Sequence, residues 1–376
     1  MTCWPSGYAT GRPVGRIRAG IGHDGSVDFV ALEEIHAAAL RALPHDVAAY
    51  LEEGAGTEST LRANREAFGK WVIRPRPMSG VSDPDMSATV LGIPLTVPVL
   101  TSPFGGDALF HPDGQLAVAR ANAVCGTASI APEVGSFSYE QLRAAAPAAV
   151  RIAQVHPYES FGAVAERVKA AGYDALCVTV DCPQMGVRAR SRLARFHPDR
   201  SVWSGNFVDD DSPSANHMFR AGVTAASPAW SWAQLEQAAS QAGLPWLAKG
   251  ILTGPAALAA LDAGASAILV SNHGGRQIDP APASLDVLPE VVSAVAGPVP
   301  VLHDSGIRSG ADVLLALALG ADAVVIGRLA AYGLAAGGEA GVRRVIELLA
   351  EELRTLMVLA GLPDLKSITP DTVAPR

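Results

Sequence analysis

From about residue 94 onward the chain alternates between two textures, and this alternation constrains its fold more than any other feature. Short β-rich runs recur as "LTVPVLTSP" (95–103), "TASIAP" (127–132), "VRIAQV" (150–155) and "ALCVTVD" (175–181). They continue as "PWLAKGI" (245–251), "AILVSNHG" (267–274), "VPVLHDSG" (299–306) and "AVVIGR" (323–328). Each is a nearly continuous apolar run, as expected of strands buried on both faces. Between them lie amphipathic, Ala-rich stretches such as "GQLAVARANAV" (114–124), "SFGAVAERVKAAG" (160–172) and "GPAALAALDAG" (254–264), and Gly172, Gly264 and Gly320 stand where left-handed helix caps are usual. Strict βα alternation implies a parallel sheet. Eight units in about 250 residues have the span of a (β/α)8 TIM barrel. An open doubly wound sheet is the alternative, and eight evenly repeated units argue against it.

Two segments fall outside the repeat. Residues 27–72 read as helices preceding the barrel, and residues 182–229, which contain "DDDSPSANH", read as an insertion after strand 4. That insertion is polar and far longer than a usual connection, as a lid over the barrel mouth would be; the plainer reading is a decorative loop. Residues 1–26 hold Arg12, Arg16 and Arg18 but no apolar stretch, so they read as a flexible extension and not as a secretory signal. Residues 27–376 then form one barrel domain.

A net charge of -8 with no Lys/Arg-rich run argues against nucleic acid as the main partner. No run of 18 apolar residues offers a membrane-spanning helix. The four cysteines, Cys3, Cys125, Cys177 and Cys182, show neither a CxxC pair nor metal-ligand spacing. They read as reduced thiols of a cytoplasmic protein, buried where they sit in strands, with no metal site.

In a (β/α)8 barrel, chemistry gathers at the C-terminal strand ends. Polar residues are plentiful there: Gln154 on strand 3, Thr179 and Asp181 on strand 4, Lys249 on strand 5, and Ser271, His273 and Arg276 after strand 6. Asp304 and Arg308 follow strand 7, and Gly327-Arg328 follow strand 8. Lys249 is informative by itself, because the chain has only four lysines against 25 arginines and yet places one inside "WLAKGI". A lysine in an apolar strand is costly unless a ligand atom or a carboxylate compensates it. "DSGIRSG" (304–310) and "IGR" (326–328) each pair glycine, which lets backbone N–H groups approach an anion, with an arginine that adds donors. At the ends of strands 7 and 8 this points to a phosphorylated cofactor. His273, with Asp181 to orient it, has the makings of a general base, and Arg276 of a carboxylate clamp.

The heptad "SNHGGRQ" (271–277) resembles the active-site signature of the FMN-dependent α-hydroxy acid oxidases and dehydrogenases. The resemblance runs from about residue 28 to 368 and takes in "AYLEEGAGTESTLRANREAF" (49–68), "HPDGQLAVARA" (111–121), "VTVDCP" (178–183) and "ALALGADAVVIGR" (316–328). It implies a homo-oligomeric barrel, commonly a tetramer, that oxidises a 2-hydroxy acid to a 2-keto acid and passes the electrons to O2 or another acceptor. By position, His273 matches the base and Asp181 the carboxylate supporting it. Arg276 and Tyr50 match the groups holding the substrate carboxylate, with Arg188 a supporting cation. Lys249 matches the lysine at the flavin N1/O2 edge, while Gln154, Thr179 and Ser271 match ring contacts. Asp304, Gly306, Arg308, Gly327 and Arg328 match ribityl and phosphate contacts, and Pro103, Phe104 and Gly105 match the strand 1 segment against the flavin. A glycine at the Gly105 position occurs in dehydrogenase- and monooxygenase-type members.

The pattern departs from the family at three places. His156 stands where the family has a tyrosine whose hydroxyl touches the substrate's reacting oxygen. Pro132 and Val134, in "IAPEVGS", replace a serine on the flavin and an aromatic residue. Imidazole and phenol differ in reach and titration, proline lacks an N–H donor, and valine leaves more room. The three changes point to a bulky or unusual substrate; the plainer alternative is that His156 substitutes for the tyrosine on an ordinary hydroxy acid. Oxidative decarboxylation, or oxidation of an amino or cyclised substrate, would use the same cofactor. A flavin-binding protein without turnover is a further alternative, and the joint presence of His273, Arg276, Asp181, Lys249 and Tyr50 argues against it.

Overall fold

A computed structural model describes residues 28–158, 160–207, 230–297 and 299–376. The extension at residues 1–26, Cys3 and the segment "DDDSPSANH" lie outside the described residues.

Eight parallel strands close on themselves in chain order: β1 (Val99–Thr101), β2 (Ala128–Ala131), β3 (Val150–Val155), β4 (Ala175–Thr179), β5 (Trp246–Ile251), β6 (Ala267–Val270), β7 (Val301–Asp304) and β8 (Ala323–Ile326). Closure is made where β8 pairs with β1, Val324 opposite Val99. The architecture is therefore the (β/α)8 barrel expected from the alternation, and the open sheet is excluded. Side chains alternate between two cores. Leu100, Ile130, Ile152, Cys177, Leu247, Leu269, Leu302 and Val325 fill the barrel. Their neighbours, such as Val99, Ala153, Val178, Ala248, Ile268 and Val324, pack outward on the helices. This double burial is why the strands read as continuous apolar runs.

The expected first strand, 95–103, divides in two. Ile93–Leu95 pairs antiparallel with Ala88–Val90, and the chain turns at Thr96–Pro98 before β1 begins. Val90, Ile93 and Leu95 join the interior cluster, so this hairpin plugs the barrel end opposite the cavity described below. A second short pair, Trp71–Ile73 with Val373–Pro375, ties the start of the barrel region to the C-terminus.

Among the described residues, three α-helices precede the barrel: α1 (Leu32–Ala42), α2 (His45–Glu52) and α3 (Ser59–Glu66). Asp279 anchors α3, its carboxylate accepting from the backbone N–H groups of Thr57 and Thr60 at 2.8 and 2.7 Å. The end of α2 and the start of α3 thereby sit beside the loop after β6. Among the described residues, no helix is long and apolar enough to cross a membrane. Cys125, Cys177 and Cys182 are free thiols, and Cys177 and Cys182 are buried.

Candidate active site

The exit from β6 is an unusual piece of backbone. His273, Gly274 and Gly275 follow one another with φ of 58, 64 and 74°. The left-handed region is natural for glycine, but holding a histidine there costs on the order of 1 kcal/mol. Side chains fix the turn at every residue. The Ser271 hydroxyl accepts from His273 N–H (3.1 Å), the Ser305 hydroxyl from Gly274 N–H (2.9 Å), and Asn272 Oδ1 from Gly275 N–H (3.0 Å). Asn272 in turn donates to Asn64 of α3 at 2.7 Å. Glycine is required at 275 because a Cβ would stand 2.7 Å from Leu61 N of the same helix.

The turn presents His273 to three neighbours. Its Nδ1 lies 3.3 Å from both Asp181 oxygens, 3.4 Å from Lys249 Nζ and 3.4 Å from Cys182 Sγ. Lys249 reaches this point through an irregularity in β5, where the pairing register with β6 shifts between Lys249 and Ile251. Gly250 makes the approach possible: its φ is 111°, and a Cβ there would lie 2.6 Å from that of Asp181. Burial raises the Asp181 carboxyl, but Lys249 and then His273 outweigh it and hold the group below the usual carboxylate range. Burial lowers Lys249, yet Asp181 and Asp304 more than restore its charge. Burial, then Lys249, pulls His273 down to about 4, so the imidazole is neutral at pH 7. Asp181, Cys182 and His273 place possible metal-ligand atoms within 4.8 Å of one another; the ammonium of Lys249 beside them opposes a bound cation.

Above this group lies a set of arginines. Arg276 Nη1 donates to the carbonyls of Tyr50 (2.8 Å) and Glu53 (2.9 Å), and its guanidinium lies over the Tyr50 ring at 4.8 Å. Arg188 Nε donates to the Arg276 carbonyl at 3.4 Å. Desolvation in the cavity wall and the charge of Arg276 pull Arg188 down to about 10 and Arg328 to about 9. Such a cluster of cations is relieved by anions.

The loops after β7 and β8 form the other end. Asp312 accepts from Arg308 N–H and from Arg65, each at 2.7 Å, holding the turn that contains Gly306. Gly306 has φ 98°, and a Cβ there would stand 2.6 Å from the Asn64 carbonyl. Gly327 precedes the helix that begins at Arg328, and a Cβ there would meet nothing nearer than Ser102 Cβ at 3.6 Å, so the helix N-terminus is open to a ligand. Arg328 is partly committed to the protein, donating to the carbonyls of Leu51, Gly274 and Glu53 at 2.9, 2.9 and 2.6 Å.

These parts surround one cavity of about 880 Å³. Tyr50, Pro103, Phe104, Gly105, Gln154, His156, Thr179, Arg188, Lys249, His273, Arg276, Asp304, Gly306, Arg308, Gly327 and Arg328 all line it. Asp181 and Ser271 lie behind that wall, Asp181 at His273 Nδ1 and Ser271 at its backbone N–H. The insertion after β4 contributes Met185, Val187, Arg188, Phe196, Trp203 and Phe207, so its described part forms a roof. Gly105 has a packing reason: a Cβ there would meet the Val134 carbonyl at 2.1 Å.

Two residues that sequence reasoning missed hold this arrangement. Glu53, fully buried, accepts from Ser191 N–H at 2.9 Å and from the Ser191 hydroxyl, and lies 3.7 Å from Arg276, so it ties the roof to the arginine. Glu133 pairs with His156 Nδ1 at 2.7 Å. A charged residue inside an otherwise recognisable motif, "AYLEEGAG", was the available signal for Glu53. For Glu133 the signal was a carboxylate closing the apolar run of strand 2.

A family model described as FMN-dependent dehydrogenase matches residues 39–375. The chain belongs to the FMN-dependent α-hydroxy acid oxidase family. It is 41% identical over 346 residues to a peroxisomal (S)-2-hydroxyacid oxidase of Arabidopsis thaliana, covering 91% of this chain and 95% of the relative. An L-lactate oxidase of Nostoc sp. is 41% identical over 331 residues, covering 85% and 91%. Among solved structures, a putative lactate oxidase of Pediococcus acidilactici superposes with a TM-score of 0.84 at 33% identity, covering 93% of this chain and 96% of that one. A mandelate oxidase gives 0.84 at 36% identity, covering 93% and 98%.

As a member of this family the enzyme uses FMN and oxidises 2-hydroxy acids. The residues present fit the cofactor. The Gly306–Arg308 turn, the open helix end at Gly327 and two arginines supply N–H donors suited to a phosphate. At the other end, the contacts of the Lys249 ammonium with Ser271 Oγ and His273 Nδ1 are both long at 3.4 Å, so a ligand oxygen or nitrogen would find a charged donor there.

Proposed function

We propose that this enzyme oxidises a 2-hydroxy acid bearing a bulky apolar substituent, with His273 as the base. The observation that carries this reading is a neutral imidazole on the cavity wall, backed by Asp181 and facing the same cavity as Arg188 and Arg276. Because Nδ1 faces Asp181, Nε2 is the nitrogen left for the substrate, and Asp181 stabilises the ring once it is protonated. Arg276 and Arg188 hold the substrate carboxylate, with Tyr50 fixed beneath Arg276. FMN, when bound, would supply an acceptor for two electrons and one proton. The protein contributes position, charge and the removal of one proton, and a 2-keto acid remains.

The size of the substituent is argued from the roof. Tyr50 stacks on Phe196 at 4.6 Å and meets Trp203 edge-on at 5.8 Å, while Phe110 lies 6.5 Å away. These rings make a broad apolar wall, and Pro132 and Val134 leave space beside it. At equal concentration under anaerobic conditions, a phenyl-substituted 2-hydroxy acid is expected to bleach the flavin about tenfold faster or more than a methyl-substituted one. Equal rates, or a preference for the methyl compound, would overturn the bulky-substrate reading.

The lowered pKa of His273 gives a pH dependence of definite sign. A histidine at its ordinary 6.5 would lose its base form as pH falls through that value, whereas one at about 4 keeps it. The profile of kcat/KM is therefore expected to stay level through pH 6.5 and fall only toward pH 4. An acid limb centred near 6.5 would show that the base is not the His273 ring.

A further inference from the structure

We propose that Glu133 is a positioning residue that fixes the tautomer of His156, leaving Nε2 as a hydrogen-bond acceptor for the hydroxyl of the substrate. This inference rests on reading the cavity as a 2-hydroxy acid site. It concerns the wall built by β2 and β3, away from the pair formed by His273 and Asp181.

Glu133 follows β2 by two residues and His156 follows β3 by one, and the two strands pair with Ala131 opposite Ala153. One oxygen of Glu133, Oε2, accepts the His156 backbone N–H at 2.7 Å and lies the same 2.7 Å from the ring Nδ1. An oxygen already accepting from a backbone N–H faces the ring as an acceptor, so the ring nitrogen is the donor. In the neutral ring the proton is therefore on Nδ1, and Nε2 carries a lone pair.

The pair is held on every side. Glu133 N–H donates to Gln154 Oε1 at 3.1 Å, and Asn206 Nδ2 donates to the Glu133 carbonyl at 2.8 Å. The His156 ring stacks on Tyr158 at 5.2 Å and 11°, and the Tyr158 hydroxyl donates to the Cys182 carbonyl at 3.0 Å. The Glu133 side chain is 1% exposed and does not line the cavity, whereas His156 does. Glu133 thus has no route to a substrate except through His156.

An unprotonated Nε2, which the Gln154 amide approaches at 3.4 Å, accepts from a hydroxyl but has nothing to donate to a ketone oxygen. With its ring proton held on Nδ1 by Glu133, His156 accordingly distinguishes a 2-hydroxy acid from the 2-keto acid formed from it. If the ring takes up a proton, Glu133 is placed to stabilise it as Asp181 is for His273.

The test uses the FMN-loaded enzyme, with ligand binding followed through the flavin absorbance. E133Q keeps the shape and removes the charge that fixes the proton. E133Q is expected to weaken binding of the hydroxy acid and slow flavin reduction, each about tenfold, and to leave 2-keto acid affinity within twofold. In an H156F background the same change is expected to have no further effect. Equal weakening for both ligands, or an undiminished effect of E133Q in H156F, overturns the proposal. Nitrogen-15 spectra of histidine-labelled enzyme, with the His156 signals identified by their loss in H156F, give a readout independent of turnover and of E133Q folding. A proton on Nδ1 supports the proposal, and a neutral ring protonated on Nε2 overturns it. Failure of every 2-hydroxy acid to bleach the wild-type flavin would instead overturn the reading of the reaction, and the spectra would still decide the role of Glu133.

Discussion

His273→Ala is expected to slow anaerobic flavin reduction by about 10³–10⁴-fold while leaving FMN bound, the loss associated with removing a positioned base. The His273 imidazole is neutral, is backed by Asp181 at 3.3 Å and stands beside Lys249. In the bonds that shape the turn, backbone N–H groups donate to Ser271, Ser305 and Asn272, so these bonds survive removal of the ring. Histidine tolerates φ of 58° somewhat better than alanine, so the exchange adds a modest backbone strain that the side-chain bonds to the turn oppose. The phosphate end, at Gly306, Arg308 and Gly327, does not involve His273. Stopped-flow reduction and the flavin-to-protein absorbance ratio separate the two effects. Reduction within tenfold of wild type would remove His273 from its assigned role, and loss of FMN would show that the turn depends on the ring.

Lys249→Met is expected to have effects of three kinds, because the ammonium compensates two carboxylates and opposes one imidazole. Asp181 and Asp304 both feel its charge and are left without it in the variant. Leaving buried charge uncompensated costs about 3 kcal/mol or more, to be read from denaturant unfolding. For Asp181 the linkage has a definite sign. Its folded pKa lies below the ordinary 3.8, so the stability it contributes is present above that value and is lost as pH falls through the folded pKa. Without Lys249 that contribution shrinks. His273 moves the other way, since Lys249 helps hold it near 4, and the acid limb of kcat/KM is expected to shift upward. Flavin reduction should fall about 10²-fold, the loss typical of removing one donor to developing negative charge. An unchanged acid limb would show that Lys249 does not set the state of His273.

Much of the site was legible because the barrel converts sequence position into spatial position. A residue at the end of a strand run must face the same mouth as those at the other strand ends, whichever helices intervene. Gln154, Thr179, Lys249, His273 and Asp304 could thus be grouped without knowing a single distance. Lys249 stood out because an ammonium inside "WLAKGI" violates the apolar pattern. Tyr50 was different: nothing in periodicity brings α2 to the barrel mouth, and only the family resemblance placed it there. The division of residues 93–101 into hairpin and strand was hidden because both pieces are apolar, and the turn between them is decided by how the plug fits the barrel floor.

The sequence alone determined the count of units, their parallel alternation and which side chains stand at strand ends, because hydrophobic periodicity and chain connectivity are local properties; closure into a barrel rests on the pairing of β8 with β1. The tertiary structure decided which carboxylate serves which cation or ring. Glu53 meets Arg276 and Ser191, Lys249 joins the His273–Asp181 pair already expected from the sequence, and Glu133 meets His156. Each link joins groups from different strands or loops, and its effect depends on the burial and distances that set Coulomb energy. Those quantities exist only once the barrel has closed.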